Sequence, residues 1–206
     1  MSFDYRLHVF HSPRFQSVVD EAIEFFNQTP VRELPPPISF VGTGVYALYY
    51  LGDFDLYARI AGLNRETQDQ PIYVGKAVPS GWRTARLQKT DAPVLYRRLQ
   101  EHSRSIQHAG NLEIDGFRCR FAILGDTESD LVVPVEAELI RRYSPLWNSF
   151  IDGFGNHDPG SGRYNQAKSE WDVLHPGRPW AERLTGEPPR LEEVVDKVHQ
   201  SLGGIS

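Results

Sequence analysis

The segment Val45–Leu51 (VYALYYL) sets seven apolar or aromatic residues in a row between Gly44 and Gly52. Its length, its aromatic content and its flanking glycines identify a buried strand. A strand of this kind must be covered by other elements, so the rest of the chain has to supply them. Residues 15–27 (FQSVVDEAIEFFN) carry Val18, Ala22, Ile23 and Phe26 at helical spacing. Pro30 and the run Pro35-Pro36-Pro37 end that helix and form a stiff link. After Gly52 a polar and mixed segment runs to Gln70, followed by a short strand, Ile72-Tyr73-Val74, that Gly75 is expected to stop. A helix over 93–107 has Pro93 in its first turn. Phe117–Leu124 (FRCRFAIL) alternates Arg118 and Arg120 with apolar neighbours and reads as a third strand. A helix from about Val135 to Tyr143 is stopped by Ser144-Pro145; a Gly-rich loop, Gly153–Gly162, and an amphipathic helix near Leu191–Leu202 complete the chain. The order β-β-α-β-α predicts an α+β core with a small, mainly antiparallel sheet flanked by helices.

A chain of 206 residues fits one domain with embellishments. No apolar run reaches the roughly 18 residues of a membrane helix, and the start MSFDYRLHVFHSPRF does not read as a secretory signal. The single cysteine, Cys119, excludes an internal disulfide and a multi-cysteine zinc site, and the cytoplasm of a bacterium is the expected compartment. The net charge of −5 argues mildly against a nucleic-acid partner. Its distribution argues the other way. Between Lys76 and Arg104 seven basic residues (Lys76, Arg83, Arg86, Lys89, Arg97, Arg98, Arg104) face two acids, Asp91 and Glu101, while both ends of the chain are acidic. Such a local basic surface suits phosphate contact, and equally a solvated face.

The two middle helices, projected at about 100° per residue, place polar groups where apolar ones belong. Val94, Leu95, Leu99 and Ile106 define one apolar arc, and Arg98 and His102 fall inside it, with Arg97, Gln100, Glu101 and Arg104 on the solvent side. On the second helix, Glu136 completes the stripe of Leu139, Ile140 and Tyr143, with Glu138, Arg141 and Arg142 opposite. A charge on a core-facing stripe costs several kcal/mol unless a partner or an ion compensates it. Three such residues on two neighbouring helices point to a shared polar pocket. Singly, each has a plainer reading. Arg98 and Glu136 could form a structural ion pair, His102 could be a satisfied half-buried histidine, Tyr46 and Tyr73 ordinary strand aromatics, and Asn148 a turn residue.

Taken in order, these residues resemble a known family. Gly44-Val45-Tyr46 and Tyr73-Val74-Gly75 on successive strands resemble the paired tripeptides that name the GIY-YIG nucleases. Lys76 follows directly, Arg98 and His102 lie on the next helix, Glu136 opens another, and Ser144-Pro145-Leu146-Trp147-Asn148 looks like the family's proline-then-asparagine ending. The likeness covers residues 42–150, with an insertion near 52–70, an N-terminal extension over 1–41 and a C-terminal extension over 151–206 that supplies a DNA-contacting loop and helix. Valine replaces isoleucine in both tripeptides. No helicase, zinc-finger or helix-hairpin-helix module is recognisable, which makes the chain similar to the small type II restriction endonucleases of the superfamily. The long insertion, the run Asp152–Gly160 and the stretch Trp171–Arg178 look like the group that cuts CCGCGG.

The resemblance implies Mg²⁺-dependent hydrolysis of double-stranded DNA at a short palindromic G·C-rich site. Its catalytic set would be Tyr46, Tyr73, Lys76, Arg98, His102, Glu136 and Asn148. Glu136 would be the ligand of a single Mg²⁺, for which Mn²⁺ can substitute. Arg98 would clamp the scissile phosphate, and Tyr73 and Asn148 would position it, the water or the metal ligands. Either Tyr46 or His102 would be the general base. Lys76, Arg83, Arg86, Lys89, Arg104, Asn156, His157 and Arg163 are the candidate DNA contacts. A palindrome implies a homodimer on DNA, and a cognate methyltransferase in the host without stable association. The competing readings are a repair or mobile-element nuclease, and a non-catalytic DNA-binding module that kept the fold.

Overall fold

The computed structural model describes residues 3–79 and 92–203. Arg83, Arg86 and Lys89 lie outside the described residues. Four strands, β1 (Arg32–Glu33), β2 (Gly44–Tyr50), β3 (Tyr73–Ala77) and β4 (Phe117–Ile123), form one sheet in the order β1-β4-β2-β3. Every pairing described is antiparallel. Seven α-helices accompany them among the described residues: α1 (Phe15–Gln28), α2 (Ala58–Glu66), α3 (Val94–His108), α4 (Val132–Tyr143), α5 (Leu146–Ser149), α6 (Glu170–Leu174) and α7 (Leu191–Gly203). This is the α+β architecture expected from the order of elements. No helix among the described residues is long and apolar enough to cross a membrane.

β2 is buried along its whole length because both faces of the sheet are covered. Its side chains alternate between two cores, as strand geometry requires. Tyr46, Leu48 and Tyr50 pack in one core with Leu95 and Leu99 of α3 and with Trp147, Trp171 and Val194. Val45, Ala47 and Tyr49 pack in the other with Val19, Ile23 and Phe26 of α1 and Val135 and Leu139 of α4. The stripe of α1 therefore runs through Val19, whereas Val18 is 40% exposed.

Three local expectations are corrected. β3 runs through Gly75 to Ala77 instead of stopping there, because Gly75 pairs with Tyr46 across the sheet and gives its ring room. Residues 52–70 include the helix α2, whose Ile60, Ala61 and Asn64 continue from Tyr57 at helical spacing and are buried. The polar Asn64 hides this stripe in the sequence; its amide donates to the Tyr50 and Gln70 carbonyls at 3.1 and 2.9 Å. The proline-rich link also contains β1, two residues paired to β4 at the edge of the sheet.

Candidate active site

At the β3 edge a cleft of about 780 Å³ is lined by Tyr46, Tyr73, Lys76, Arg97, Arg98, Glu101, Glu136 and His157, among others. The cleft straddles the edge strand. Tyr46 belongs to the core on the α3 side, whereas Lys76 reaches toward α4 and pairs with Glu136. The register explains the split: Lys76 lies opposite Val45 and Gly75 opposite Tyr46, so consecutive β3 positions serve opposite faces. Residues that the helical wheels placed on two apolar stripes thus meet around a strand edge.

Gly75 is required by this packing. A Cβ there would lie 2.4 Å from the Tyr46 hydroxyl oxygen and 2.6 Å from Cζ. On the opposite side of β2, toward β4, a Cβ on Gly44 would lie 2.0 Å from the Ala122 carbonyl oxygen. The glycine of each tripeptide permits a close approach, one of ring to backbone and one of strand to strand.

Tyr46 and His102 form the innermost contact, with Oη 2.5 Å from Nε2. His102 is buried behind the tyrosine, stacked on Phe154 with ring centroids 4.6 Å apart. Burial, followed by the charge of Arg98 and by His157, holds the imidazole well below its ordinary range, so it is neutral at pH 7. Neutral His102 can accept the phenolic proton at Nε2. Burial, reinforced by Tyr73, pushes Tyr46 well above the usual phenol value, and Arg98 opposes that shift. Tyr73 is also raised by burial, with Arg98 lowering it.

Arg98 does not pair with Glu136. Its Nη1 donates to Glu101 Oε2 at 2.9 Å and meets His157 Nε2 at 2.7 Å, and its Nη2 donates to the Gly155 carbonyl at 3.0 Å. Burial, then the Arg98 charge, lowers the His157 pKa, so Nε2 accepts from the guanidinium. Glu101 and Arg97, which the wheel assigned to solvent, both line the cleft. The roles of Glu101 and Gly155 escape the sequence because they orient another side chain. An Arg98–Glu101 spacing of three residues was their one available signal.

Asn148 stands away from the cleft lining and acts on the backbone. Its Oδ1 accepts from Val74 N–H at 2.7 Å and its Nδ2 donates to Val74 O at 2.8 Å, which clamps β3 beside Tyr73. Arg104 is exposed on α3, with Nε 3.4 Å from Gln100 O, and does not line the cleft. Asn156 and Arg163 line a neighbouring cavity of about 370 Å³, which His157 shares. The expected site residues among those described thus divide into a cleft group, the buried His102 and half-buried Asn148 behind it, a loop group beside it, and Arg104, which stands apart on the exposed face of α3.

Among the described residues no cluster of three or more His, Cys, Asp or Glu is placed to enclose a cation. The Glu136 carboxylate, half-buried at the cleft and paired with Lys76, is a hard oxygen donor of the kind Mg²⁺ takes singly while keeping water and phosphate oxygens. The residues present fit such an ion.

No curated protein matches the chain. The model of the Eco29kI GIY-YIG domain, that of a type II restriction endonuclease, matches residues 38–202. That span includes every described lining residue of the cleft together with α6 and most of α7. The chain belongs to the Eco29kI family of GIY-YIG restriction endonuclease domains, nucleases whose substrate is DNA.

Proposed function

We propose that the protein is a type II restriction endonuclease that hydrolyses double-stranded DNA with Mg²⁺ at a short palindromic G·C-rich site, CCGCGG being the first sequence to test. The observation that carries this reading is the convergence of Tyr46, Tyr73, Lys76, Arg98 and Glu136 on one cleft. Hydrolysis requires a water stripped of a proton, a phosphate whose growing charge is neutralised, and relief of the leaving oxygen.

Tyr46 lines the cleft and His102 does not, which favours Tyr46 as the base. The Tyr46 oxygen lies 2.5 Å from His102 Nε2, on a residue that lines the cleft. Water gives its proton to that oxygen as its own oxygen bonds to phosphorus, and the phenolic proton moves toward the imidazole. This exchange avoids a free phenolate, which burial penalises; the imidazolium it forms, which burial and Arg98 also disfavour, is offset by the negative charge growing on the phosphate. Arg98, fixed by Glu101, His157 and Gly155, donates to the non-bridging phosphate oxygens. Tyr73 holds the phosphate from the same side, and Lys76 adds positive charge across the edge strand. Glu136 would hold Mg²⁺, which when bound supplies Lewis-acid stabilisation at the leaving 3′ oxygen. Mn²⁺ suits the same oxygen donor.

A palindrome is read by a two-fold pair of subunits. Residues 3–15 expose Phe3, Leu7 and Phe10, an apolar area that a second copy would cover. Asn156, His157 and Arg163 sit on a loop beside the cleft and are the described candidates for base contacts. Incubating the protein with plasmid and Mg²⁺, then sequencing the product ends, tests the reading. Discrete fragments with one shared end sequence support it. Nicks at unrelated positions would favour a structure-directed nuclease, and binding without cleavage a non-catalytic module.

A further inference from the structure

The most deeply buried charged pair in the described protein lies outside the cleft. Asp172 of α6 and Arg178 are each about 1% exposed, with Nε donating to Oδ1 at 2.6 Å. The guanidinium lies over the rings of both Trp171 and Trp180, 4.6 Å from each centroid. Ser169 Oγ donates to the other oxygen of Asp172 at 2.7 Å, which fixes the carboxylate. Both terminal nitrogens donate to one backbone segment: Nη2 to Gly153 O at 2.9 Å, and Nη1 to Phe154 O at 3.1 Å and Asn156 O at 3.4 Å.

That segment is the one that grips Arg98 from behind. Gly155 O accepts from Arg98 Nη2, and His157 accepts from Nη1. A buried ion pair is seldom the most stabilising way to fill a core, and apolar residues of similar volume often serve as well. A guanidinium with this fork of donors does what an apolar filling cannot: it holds three carbonyls of one loop at set positions.

Resting on the nuclease reading, we propose that Arg178, oriented by Asp172, is a positioning residue for DNA cleavage: it fixes the 153–157 loop and through it the Arg98 guanidinium that receives the phosphate. A loop shift near 1 Å would move the Gly155 and His157 acceptors, and misplacement on this scale costs about 100-fold in rate. Lysine keeps the charge of arginine and lacks the fork, so Arg178→Lys isolates the geometry.

The test is a double-mutant cycle on single-turnover cleavage of a plasmid carrying the cut site, with DNA affinity and thermal unfolding measured alongside. Arg178→Lys is expected to lower the cleavage rate constant about 10- to 100-fold with affinity for DNA within about 3-fold of wild type. In the Arg98→Lys background the same substitution should cost less than about 2-fold further, because the side chain it positions is already altered. Should Arg178→Lys fail to fold, Asp172→Asn and Ser169→Ala, which leave the guanidinium in place and slacken its orientation, carry the same cycle. Equal losses in both backgrounds would make the pair merely structural and overturn the inference, as would full activity of Arg178→Lys. Cleavage by the wild type that Arg98→Lys slows, with no effect of Arg178→Lys, would sink this inference and leave the nuclease reading standing. Absence of cleavage by the wild type would overturn both.

Discussion

Gly75→Ala adds one methyl group at the point where the tripeptide strands cross, and the structure dictates a large effect. The new Cβ would stand 2.4 Å from Tyr46 Oη, 2.6 Å from its Cζ and 3.0 Å from Tyr73 Cε1. Neither ring can yield easily. Tyr46 is fully buried and bonded to His102, and Tyr73 packs on Phe154 with centroids 4.8 Å apart. Overpacking of this kind costs about 1–3 kcal/mol, and losing the Tyr46–His102 hydrogen bond adds about 1 kcal/mol. A total of about 2–4 kcal/mol lowers the melting temperature by roughly 5–15 °C in a protein of this size. Displacing the Tyr46 oxygen by about 1 Å should reduce cleavage about 100-fold even well below the melting temperature. Gly62→Ala is the control. Gly62 lies exposed on α2, and a Cβ there meets nothing within 4 Å, so alanine should stabilise by about 0.5–1 kcal/mol through helix propensity alone. Differential scanning calorimetry and single-turnover cleavage read both variants. A Gly75→Ala protein as stable and as active as Gly62→Ala would refute the packing argument.

Two further predictions rest on the same core. Burial holds His175 down at about 3 and His102 well below the ordinary value. The unfolded chain therefore binds more protons than the folded one in the window between about pH 6.5 and 3. The stability from these depressed values is fully present above about pH 6.5 and drains away as the pH falls; His175 alone loses about 2 kcal/mol between pH 7 and 5. Urea midpoints at the two pH values check this, and unchanged midpoints would contradict it. Tyr46→Phe should lower cleavage about 10²- to 10⁴-fold. Because burial holds Tyr46 well above and His102 well below their ordinary values, both stay neutral between about pH 7 and 9, so the relay predicts a wild-type rate that is flat across that window; a climb with a slope near one in single-turnover assays would speak against neutral Tyr46 as base.

The chemistry of the site was legible in the sequence because it violated patterning. Arg98, His102 and Glu136 stood on helix faces that hydrophobic periodicity reserves for the core, and Tyr46, Tyr73 and the two tripeptides fixed the strands beneath them. Their spatial relation was less legible. Periodicity assigns a residue to a face of its own helix, but only the sheet order shows that α3 and α4 cover opposite faces and that Arg98 and Glu136 meet around the β3 edge. Residues acting on backbone were hidden for a different reason. Asn64, Asn148 and Arg178 satisfy carbonyls and amides distant in sequence, and a polar side chain that caps a remote backbone group looks like any loop or surface residue until the partner is known. α2 was missed because Asn64 interrupts its stripe. Gly75 looks like a strand stop in the sequence because a glycine's need for space is set by the ring lying across from it.

The proposal that Glu136, Tyr46 and Arg98 serve one cation-dependent site is tested most directly by Glu136→Gln, which keeps size and hydrogen bonding and removes the charge. Cleavage and DNA binding should be measured on the same preparation across a Mg²⁺ titration. The account predicts that wild-type cutting rises with Mg²⁺ and that the variant binds DNA but does not cut at any Mg²⁺ concentration. Undiminished cutting by Glu136→Gln, or wild-type cutting indifferent to chelation of the ion, would contradict it.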